Sequence, residues 1–354
     1  MFIFWWTVLC VKVKCLVKSA LASQRQNSVF MGGNTMTPLF RLSRLFALLG
    51  MALLLQGTGA LAADAKFRVA STNKEIFDNL PFFVGIERGL FKKEGLDVEL
   101  SHFRGGGEVV RAVSTGSADV GMVATTAGII AAAKGEPLKL VSAWSAPAYG
   151  IDWVVTPDSP IKSVKDLAGK KVGISRPGSV THTGLTAVLQ ANNIQVEIVP
   201  VGGPGDGFAA LKSGRVAATW YPAPDVYGLI QRGEARSVVE ISQFLTEYQQ
   251  GSLWALEDYL GKNGPLVKKF LAAANAAGKF IVENPGEAAK MGAKHTGYPE
   301  DAVLKAIQQM PKGFFHIGLP TPKNYQGSVS EAVATGAIKE APALDKVMDK
   351  RFLP

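Results

Sequence analysis

Apolar and polar residues alternate with two different periods along much of the chain. The segments Lys66–Ser71, KFRVAS, and Leu96–Phe103, LDVELSHF, alternate at every second residue, which predicts two strands. Pro81 opens a helical pattern between them, and Gly105–Gly107 lead into a second helix. Strands that alternate with helices in this way predict βαβ units and a largely parallel α/β sheet.

The alternation restarts near Trp153 and changes after about Gln249, where a strand-like SLWAL is followed by long helical patterns. These helical patterns are Pro265–Glu283, Gly286–Lys294, Pro299–Met310 and the stretch after Pro322. If they pack back on the first strands, the chain crosses between two lobes twice, near Gly150 and near Gln249. We therefore predict one lobe from residues 63–150 and 250–354, a second from residues 151–249, and a hinged cleft between them.

The N-terminal region has the three parts of a secretory signal. From Met36 it has two arginines, an apolar run at Leu45–Leu55, and small residues that end in Ala60-Leu61-Ala62. We predict that residues 1–62 are a leader, with 36–62 the signal and cleavage after Ala62. A retained anchor is the alternative. Residues 1–35 precede a complete signal, which suggests that translation starts at Met36 or Met31; a second anchor is the other interpretation.

The net charge of +9 does not predict a nucleic-acid partner. Six of the basic residues lie before the first acidic residue, Asp64, so the remainder of the chain carries +3 with interspersed signs. Both cysteines, Cys10 and Cys15, lie in the leader, which excludes disulfides and cysteine chemistry from the rest. The four histidines have no metal-ligand spacing, so neither a metal nor a cofactor is expected.

Ligands of open parallel sheets bind where strands end and helices begin. Six loops meet that condition: Thr72–Leu80, Arg104–Glu108, Ala124–Thr126, Ser175–His182, Gly202–Asp206 and Trp220–Pro224. The backbone N–H groups and positive dipoles of helix N-termini favour an anion there. The loop GGPGDG at Gly202–Gly207 matches neither the dinucleotide pattern nor the P-loop, and we interpret it as a turn beside the ligand.

The loop RPGSVTHTGL places Ser179 three residues before His182. A hydrolase elbow needs G-x-S-x-G, and a catalytic serine takes its histidine from a distant segment. Ser179 is instead a natural N-cap, with Thr181 and His182 in the first helical turn. A plain cap, an anion cradle and a catalytic pair are the three interpretations, and we favour the cradle.

Four segments in order resemble the substrate-binding proteins of ABC importers, and most closely the nitrate/sulfonate/taurine, or NMT1/THI5-like, group. The segments are GIERGLFKKEGLDVEL, TGSADVGMVATT, IKSVKDLAGKKVGISRPGS and NPGEAA. The resemblance implies a two-lobed type II periplasmic binding protein fold, each lobe a mostly parallel sheet flanked by helices. It also implies a small-molecule ligand in the cleft, an inner-membrane ABC permease as partner, a periplasmic location, and no catalysis. We expect a monomer.

Carried over onto this chain, the family pattern places the ligand contacts in five loops. The residues are Asn79, Leu80, Gly106, Gly107, Glu108, Thr125, Thr126, Ser179, Thr181, His182, Trp220, Tyr221 and Pro222.

The chain departs from the family where an acidic residue usually follows the tryptophan. Trp220-Tyr221-Pro222 stands in place of W-D/E-P, and Ala217 replaces a usual aspartate. The lost carboxylates argue against an amino-sulfonate such as taurine and for a simple anion or an aromatic acid. A binding protein for a thiamine-precursor pyrimidine, a secreted Ser/His hydrolase, and a sensor ectodomain or chaperone-like partner protein are the competing hypotheses.

Overall fold

The computed structural model describes residues 64–177, 179–334 and 336–354. The predicted leader lies outside these residues. Along the described chain, none of the helices has the length and apolar character that a membrane crossing requires.

Two mixed sheets form the centre of the fold. The first has the strand order β11-β4-β10-β3-β1-β2 and the second has the order β7-β6-β8-β5-β9. The strands of the first sheet are β1 Ala65–Thr72, β2 Leu96–Phe103, β3 Val120–Ala124, β4 Leu138–Ser145, β10 Gly251–Leu256 and β11 Phe315–Gly318. The strands of the second sheet are β5 Ile151–Val155, β6 Lys171–Ile174, β7 Glu197–Pro200, β8 Ala218–Pro222 and β9 Arg236–Glu240.

Helices cover both sheets. In chain order they are α1 Leu80–Glu87, α2 Leu90–Lys93, α3 Gly106–Ser114, α4 Thr125–Ala133, α5 Val180–Asn192, α6 Pro204–Lys212, α7 Asp225–Gln231, α8 Glu257–Glu283, α9 Pro285–Thr296, α10 Glu300–Gln309, α11 Pro322–Ala334 and α12 Leu344–Val347. Short 3-10 turns lie at Phe77–Asn79, Val164–Leu167, Ile241–Gln243 and Lys350–Phe352.

The strand directions follow from two passages of the chain between the sheets. The chain leaves the first sheet after β4 and enters the second as β5, then leaves it after β9 and returns as β10. Both entering strands are inserted between strands that run the other way: β5 is antiparallel to β8 and β9, and β10 is antiparallel to β3 and β4. The other strands of each lobe share one direction except the edge strand β11, which is antiparallel to β4.

An aromatic core fixes α8 on the first sheet. The ring of Phe270 on α8 stacks on Phe67 of β1 at 4.6 Å between centroids, and on Phe91 at 5.3 Å. Phe82 of α1 stacks on Trp144 of β4 at 4.4 Å. All five side chains are at most 1% exposed, and the burial of such large rings stabilises this lobe.

The second lobe has its own core beneath α5. Trp153 of β5 is fully buried, and its indole donates to the Gly173 carbonyl oxygen at 3.1 Å. A Cβ on Gly184 of α5 would come 2.4 Å from Ile241 Cδ1, so the helix packs closely because this residue is glycine. The second sheet thus consists of residues 151–155, 171–174, 197–200, 218–222 and 236–240. The lobe boundaries at residues 150 and 249 stay a prediction.

Helix α8 differs from its predicted limits for a physical reason. It begins at Glu257, eight residues before Pro265, and Asn263 has non-helical dihedral angles (φ −123°, ψ 18°) inside it. Pro265 thus follows a break and lies in the first turn of the second helical segment, where proline needs no N–H partner. The short strand β11 was not predicted, because four residues carry too little alternation to recognise.

Gly128 on α4 tests the packing of the first lobe. Its added Cβ would come 2.1 Å from Trp254 Cε2, and Trp254 is 1% exposed. We expect Gly128→Ala to lower the free energy of unfolding by about 2 kcal/mol or more, measured by urea denaturation, because a packed core cannot absorb the methyl group. Gly261→Ala on α8 is the control: nothing lies within 4 Å of its Cβ, and the change should be neutral or stabilising by up to about 1 kcal/mol. Equal stability of the Gly128→Ala variant and the wild type would contradict this packing.

Asp152 on β5 is a buried carboxylate near the first crossing. It is 4% exposed. Ser237 Oγ donates to its Oδ1, whereas no described residue donates to the buried Oδ2. Burial raises the pKa of Asp152 to about 7; the Ser237 hydrogen bond opposes the rise and the charge of Glu240 adds to it.

This pKa predicts how stability depends on pH. Between the ordinary value of 3.8 and about 7, the folded state holds a proton that the unfolded chain has released, so the free energy of unfolding falls as pH rises through that window. Between pH 5 and pH 8 we expect the free energy of unfolding of the wild type to fall by about 1–2 kcal/mol more than that of Asp152→Asn. Urea denaturation at each pH measures this difference. Asp158→Asn, at an exposed position, should keep the wild-type dependence. Identical slopes for the wild type and Asp152→Asn would show that Asp152 is not the titrating group.

Candidate ligand-binding cleft

Two adjoining cavities lie where strands of the two sheets end. The polar chamber has a volume of about 490 Å³ and the apolar chamber about 220 Å³. Both are lined by Thr72, Ala124, Ser175, Val180 and Trp220. Each of the six loops predicted from the sequence contributes at least one lining residue, because the carboxyl ends of parallel strands meet at one edge of a sheet.

The remaining lining residues differ between the chambers. The polar chamber is completed by Asn73, Arg104, Gly105, Gly106, Gly107, Thr126, Ala127, Ile130, Arg176, Ser179, Gly202, Gly203, Pro204 and Glu331. The apolar chamber is completed by Ile76, Phe77, Asp78, Met122, Tyr149, Gly150, Ile151, Thr181, Pro222, Ala223, Gln250 and Gly251.

Each lobe contributes one arginine to the polar chamber. Arg104 precedes α3, and Glu108 Oε2 accepts a hydrogen bond from its backbone N–H at 3.1 Å, which fixes the loop. Arg176 follows β6 of the second lobe. Among the described residues, no carboxylate forms an ion pair with either guanidinium. The chamber is therefore electropositive at this wall.

Arg176 reaches across the cleft to the first lobe. A Cβ built on Gly105 would come 3.0 Å from Arg176 Nη2 and 3.6 Å from Nη1. The guanidinium thus lies against the glycine loop that begins α3. The two lobes approach each other closely here, and both the cation and the helix N-terminus are available to one ligand.

Three hydroxyl groups cluster at the start of α5. Ser175 Oγ donates to Ser179 Oγ at 2.9 Å, and Thr181 Oγ1 lies 2.9 Å from Ser175 Oγ and 2.8 Å from Ser179 Oγ. Ser179 caps the helix, as predicted, by accepting from the backbone N–H of His182 at 3.3 Å. Ser179 Oγ also donates to the Arg176 carbonyl oxygen at 2.7 Å. The contact between Ser179 and His182 that the structure records thus runs through the backbone and serves the cap.

Aromatic side chains shape the apolar chamber. The rings of Phe77 and Tyr149 meet edge to face at 5.8 Å between centroids. Trp220 forms the wall that the two chambers share, and its Nε1 is buried with no hydrogen-bond partner among the described residues. Asp78 is the acidic residue of this chamber; Ser145 Oγ donates to its Oδ1 and Gln250 Nε2 to its Oδ2, and burial raises the pKa of Asp78.

Two glutamines join the crossing segments beneath the chambers. Gln250 Oε1 accepts from the backbone N–H of Tyr149 at 2.7 Å. Gln249 Nε2 donates to the carbonyl oxygens of Ser145 and Gly251, both at 2.9 Å. The first and second crossings therefore lie side by side at the base of the cleft.

Seven of the residues predicted to contact a ligand line the chambers. Gly106, Gly107, Thr126 and Ser179 line the polar chamber; Thr181, Trp220 and Pro222 line the apolar chamber. The other six, Asn79, Leu80, Glu108, Thr125, His182 and Tyr221, line neither.

Burial and hydrogen bonds explain why some of these six residues do not line a chamber. Asn79 is fully buried, and its Nδ2 donates to the Asn73 and Lys74 carbonyl oxygens at 2.9 and 3.2 Å. Thr125 Oγ1 donates to Ser252 Oγ at 2.9 Å. Burial and a hydrogen bond to Asp225 raise the pKa of Tyr221 to about 12. These side chains support the cleft from behind its surface, and their role as ligand contacts stays a prediction.

Sequence reasoning missed several lining residues. Phe77, Tyr149 and Gln250 lie in the loops and crossings, where their types gave no chemical signal. Glu331 comes from α11, far from every predicted loop. In the part of the chain that the structure describes, no group of three or more His, Cys, Asp or Glu side chains is placed to hold a metal ion.

Comparison with known proteins identifies the fold. The crystal structure of the periplasmic aliphatic sulphonate binding protein SsuA from Escherichia coli superposes with a TM-score of 0.70 and 20% identity, covering 81% of this chain and 98% of that one. The predicted two-lobed periplasmic binding protein fold is thereby confirmed.

Two sequence relatives come from Escherichia coli (strain K12). A protein provisionally named as aliphatic sulfonates-binding is 27% identical over 211 residues, which is 59% of this chain and 65% of the relative. The taurine-binding periplasmic protein is 26% identical over 206 residues, which is 55% of this chain and 60% of the relative. The matched region thus spans a little under two thirds of the length of these relatives.

The model of the NMT1/THI5-like family matches residues 76–288. The match includes nine of the eleven strands and every residue that lines the chambers except Thr72, Asn73 and Glu331. Because it covers more than half of the chain, and because the sequence motifs predict the same family, this protein belongs to the NMT1/THI5-like family.

Proposed function

We propose that this protein is the periplasmic solute-binding component of an ABC importer and that it captures a small organic anion in the cleft. The observation that carries the proposal is the polar chamber, where Arg104 and Arg176 face one space from opposite lobes with no ion-pair partner among the described residues. The sulfonate- and taurine-binding names of its relatives support an anionic ligand. These names also favour an anionic ligand over the thiamine-precursor pyrimidine.

Backbone groups of both lobes add to the anion site. Gly106 and Gly107 begin α3, and Val180 and Thr181 begin α5. The first N–H groups of a helix have no partner inside the helix, and the helix dipole makes them favourable donors to negative charge. The Ser175 and Ser179 hydroxyls lie beside them.

A ligand that contacts both lobes favours closure of the cleft. An anion held by Arg104 and Gly106 of the first lobe and by Arg176 and Val180 of the second interacts with the closed cleft more favourably than with an open one. A ligand shifts such an equilibrium by its difference in affinity for the two states. Closure would present a surface made by both lobes to a membrane permease.

The apolar chamber supports an organic ligand over a bare oxyanion. It opens beside the anion site across Trp220, and Phe77, Met122 and Tyr149 line it. Apolar surface of a ligand that enters this chamber leaves water at a gain of about 25 cal/mol per Å². A sulfonate or carboxylate with an aliphatic or aromatic body fits this arrangement.

Binding without catalysis is the function that the hydroxyl cluster favours. Ser179 Oγ donates to a backbone carbonyl oxygen and accepts a backbone N–H, so its lone pairs and proton serve the cap. A serine nucleophile needs a histidine ring as base and an orienting acid. Esterase activity that Ser179→Ala abolishes would overturn this part of the proposal.

Arg176→Gln tests the anion site. We expect the affinity for benzenesulfonate, measured by isothermal titration calorimetry at low salt, to fall about tenfold or more, because a charge-assisted hydrogen bond contributes about 1.5–3 kcal/mol. Arg215→Gln, at an exposed position outside both chambers, should bind like the wild type. If ethanesulfonate, benzenesulfonate, 2-aminoethanesulfonate and nitrate all fail to bind the wild type and to raise its melting temperature, the anion proposal is wrong.

Two substitutions of Ser179 distinguish its role as a helix cap from a role in ligand binding. Ser179→Ala should lower the free energy of unfolding by about 1 kcal/mol through the lost cap. Ser179→Asp keeps a good cap but places a negative charge in the polar chamber. We therefore expect wild-type stability and at least tenfold weaker benzenesulfonate binding for Ser179→Asp, measured by urea denaturation and calorimetry. Undiminished binding by Ser179→Asp would place the anion elsewhere.

A further inference from the structure

Glu331 is a buried carboxylate on the wall of the polar chamber. It lies on α11, is 3% exposed and lines the chamber with the two arginines. Thr126 Oγ1 and Tyr248 Oη both donate hydrogen bonds to its Oε2. Thr126 is one of the predicted ligand contacts and lies in the first turn of α4, so Glu331 adjoins the cleft at the start of that helix.

The hydrogen bonds leave Glu331 partly unsatisfied. A carboxylate has about four acceptor sites on two oxygens. Both donors fall on Oε2, and no described residue donates to Oε1. Nor does any lysine, arginine or histidine of the described chain form an ion pair with Glu331. Because Glu331 lines the polar chamber, Oε1 can accept a hydrogen bond from a donor that a ligand brings into the chamber.

A purely structural role does not require this residue type. Helix α11 is already joined to the second crossing through Ser328, whose Oγ donates to the Gln249 carbonyl oxygen at 2.9 Å and accepts the Gln249 N–H at 3.2 Å. Tyr325 Oη also donates to the Pro342 carbonyl oxygen at 2.9 Å. A glutamine at position 331 would accept from the same two hydroxyls without burying a charge.

The polar chamber therefore presents charges of both signs. Arg104 and Arg176 are exposed at its mouth, whereas Glu331 is buried in its wall. A ligand that carries only a negative charge satisfies the arginines and leaves Glu331 uncompensated. A ligand that also carries a protonated nitrogen satisfies both.

We propose that Glu331 recognises an ammonium group of the ligand, so that the cleft selects zwitterionic anions such as amino-sulfonates over anions without a nitrogen. The inference rests on the anion-binding function proposed above. It reverses the expectation drawn from Tyr221 and Ala217, because the carboxylate absent from the second lobe is supplied by the first lobe instead.

Matched ligand pairs test the role of Glu331. The pairs are 2-aminoethanesulfonate with ethanesulfonate, and 4-(aminomethyl)benzenesulfonate with 4-methylbenzenesulfonate, titrated calorimetrically into the wild type, Glu331→Gln and the control Glu283→Gln. Glu283 is exposed and lines neither chamber. We expect the wild type and Glu283→Gln to bind the amine of at least one pair tenfold or more tightly than its partner. Glu331→Gln should lose that preference by weakening the amine alone.

The outcomes distinguish this inference from the function on which it rests. If the wild type binds the anions without preference for the amine, or if Glu331→Gln keeps the preference, Glu331 does not recognise an ammonium group. The proposed anion site is unaffected by either result. If neither member of either pair binds the wild type, the anion site and this inference both fail. Should Glu331→Gln not fold, as judged by its melting temperature, the preference of the wild type decides: tighter binding of the amine-free members overturns the proposal.

Discussion

Gln249 and Gln250 hold the two crossing segments of the chain side by side, and the site depends on that arrangement. Their side chains form hydrogen bonds with Ser145, Tyr149 and Gly251, which hold together the end of β4, the start of β10 and the segment that leads into β5. The same crossings force β5 and β10 into their sheets against the direction of their neighbours. With the crossings fixed in this way, the strand ends of both lobes face one cleft, and helix N-termini and loops from both sides line it.

Electrostatics and shape divide the cleft into two parts with different tasks. Arg104, Arg176 and the helix N-termini provide positive potential in the polar chamber, where charge–charge attraction is strengthened as the lobes exclude water. The apolar chamber beyond Trp220 is bounded by rings and offers burial in place of charge. A ligand that spans both is oriented by its charged end and held by its body. Glu331 adds a negative charge to the polar chamber and so restricts the anions that bind there to those that also carry a positive group.

The fold and the position of the cleft could be predicted from the sequence, but much of its wall could not. Ser179 was recognisable as a cap because a serine stands between a strand pattern and a helical one, and the six loops follow from the same alternation. The reversed directions of β5 and β10 leave no trace in the periodicity, because side chains alternate alike in both directions. Thr126 was expected near the ligand and lines the polar chamber, yet its partner Glu331 comes from a helix about 200 residues later, with no motif to mark it. Phe77 and Tyr149 were missed because a ring looks the same in sequence whether it faces a core or a cavity.

A crystal structure of the protein grown with an aryl or alkyl sulfonate tests the central claim most directly. The account predicts that the sulfonate lies in the polar chamber, with its oxygens within hydrogen-bond distance of the Arg104 or Arg176 guanidinium and of N–H groups at the starts of α3 and α5. The organic body should extend past Trp220 towards Phe77 and Tyr149. A sulfonate bound outside the cleft, or held by one lobe alone with no contact to either arginine, would contradict it.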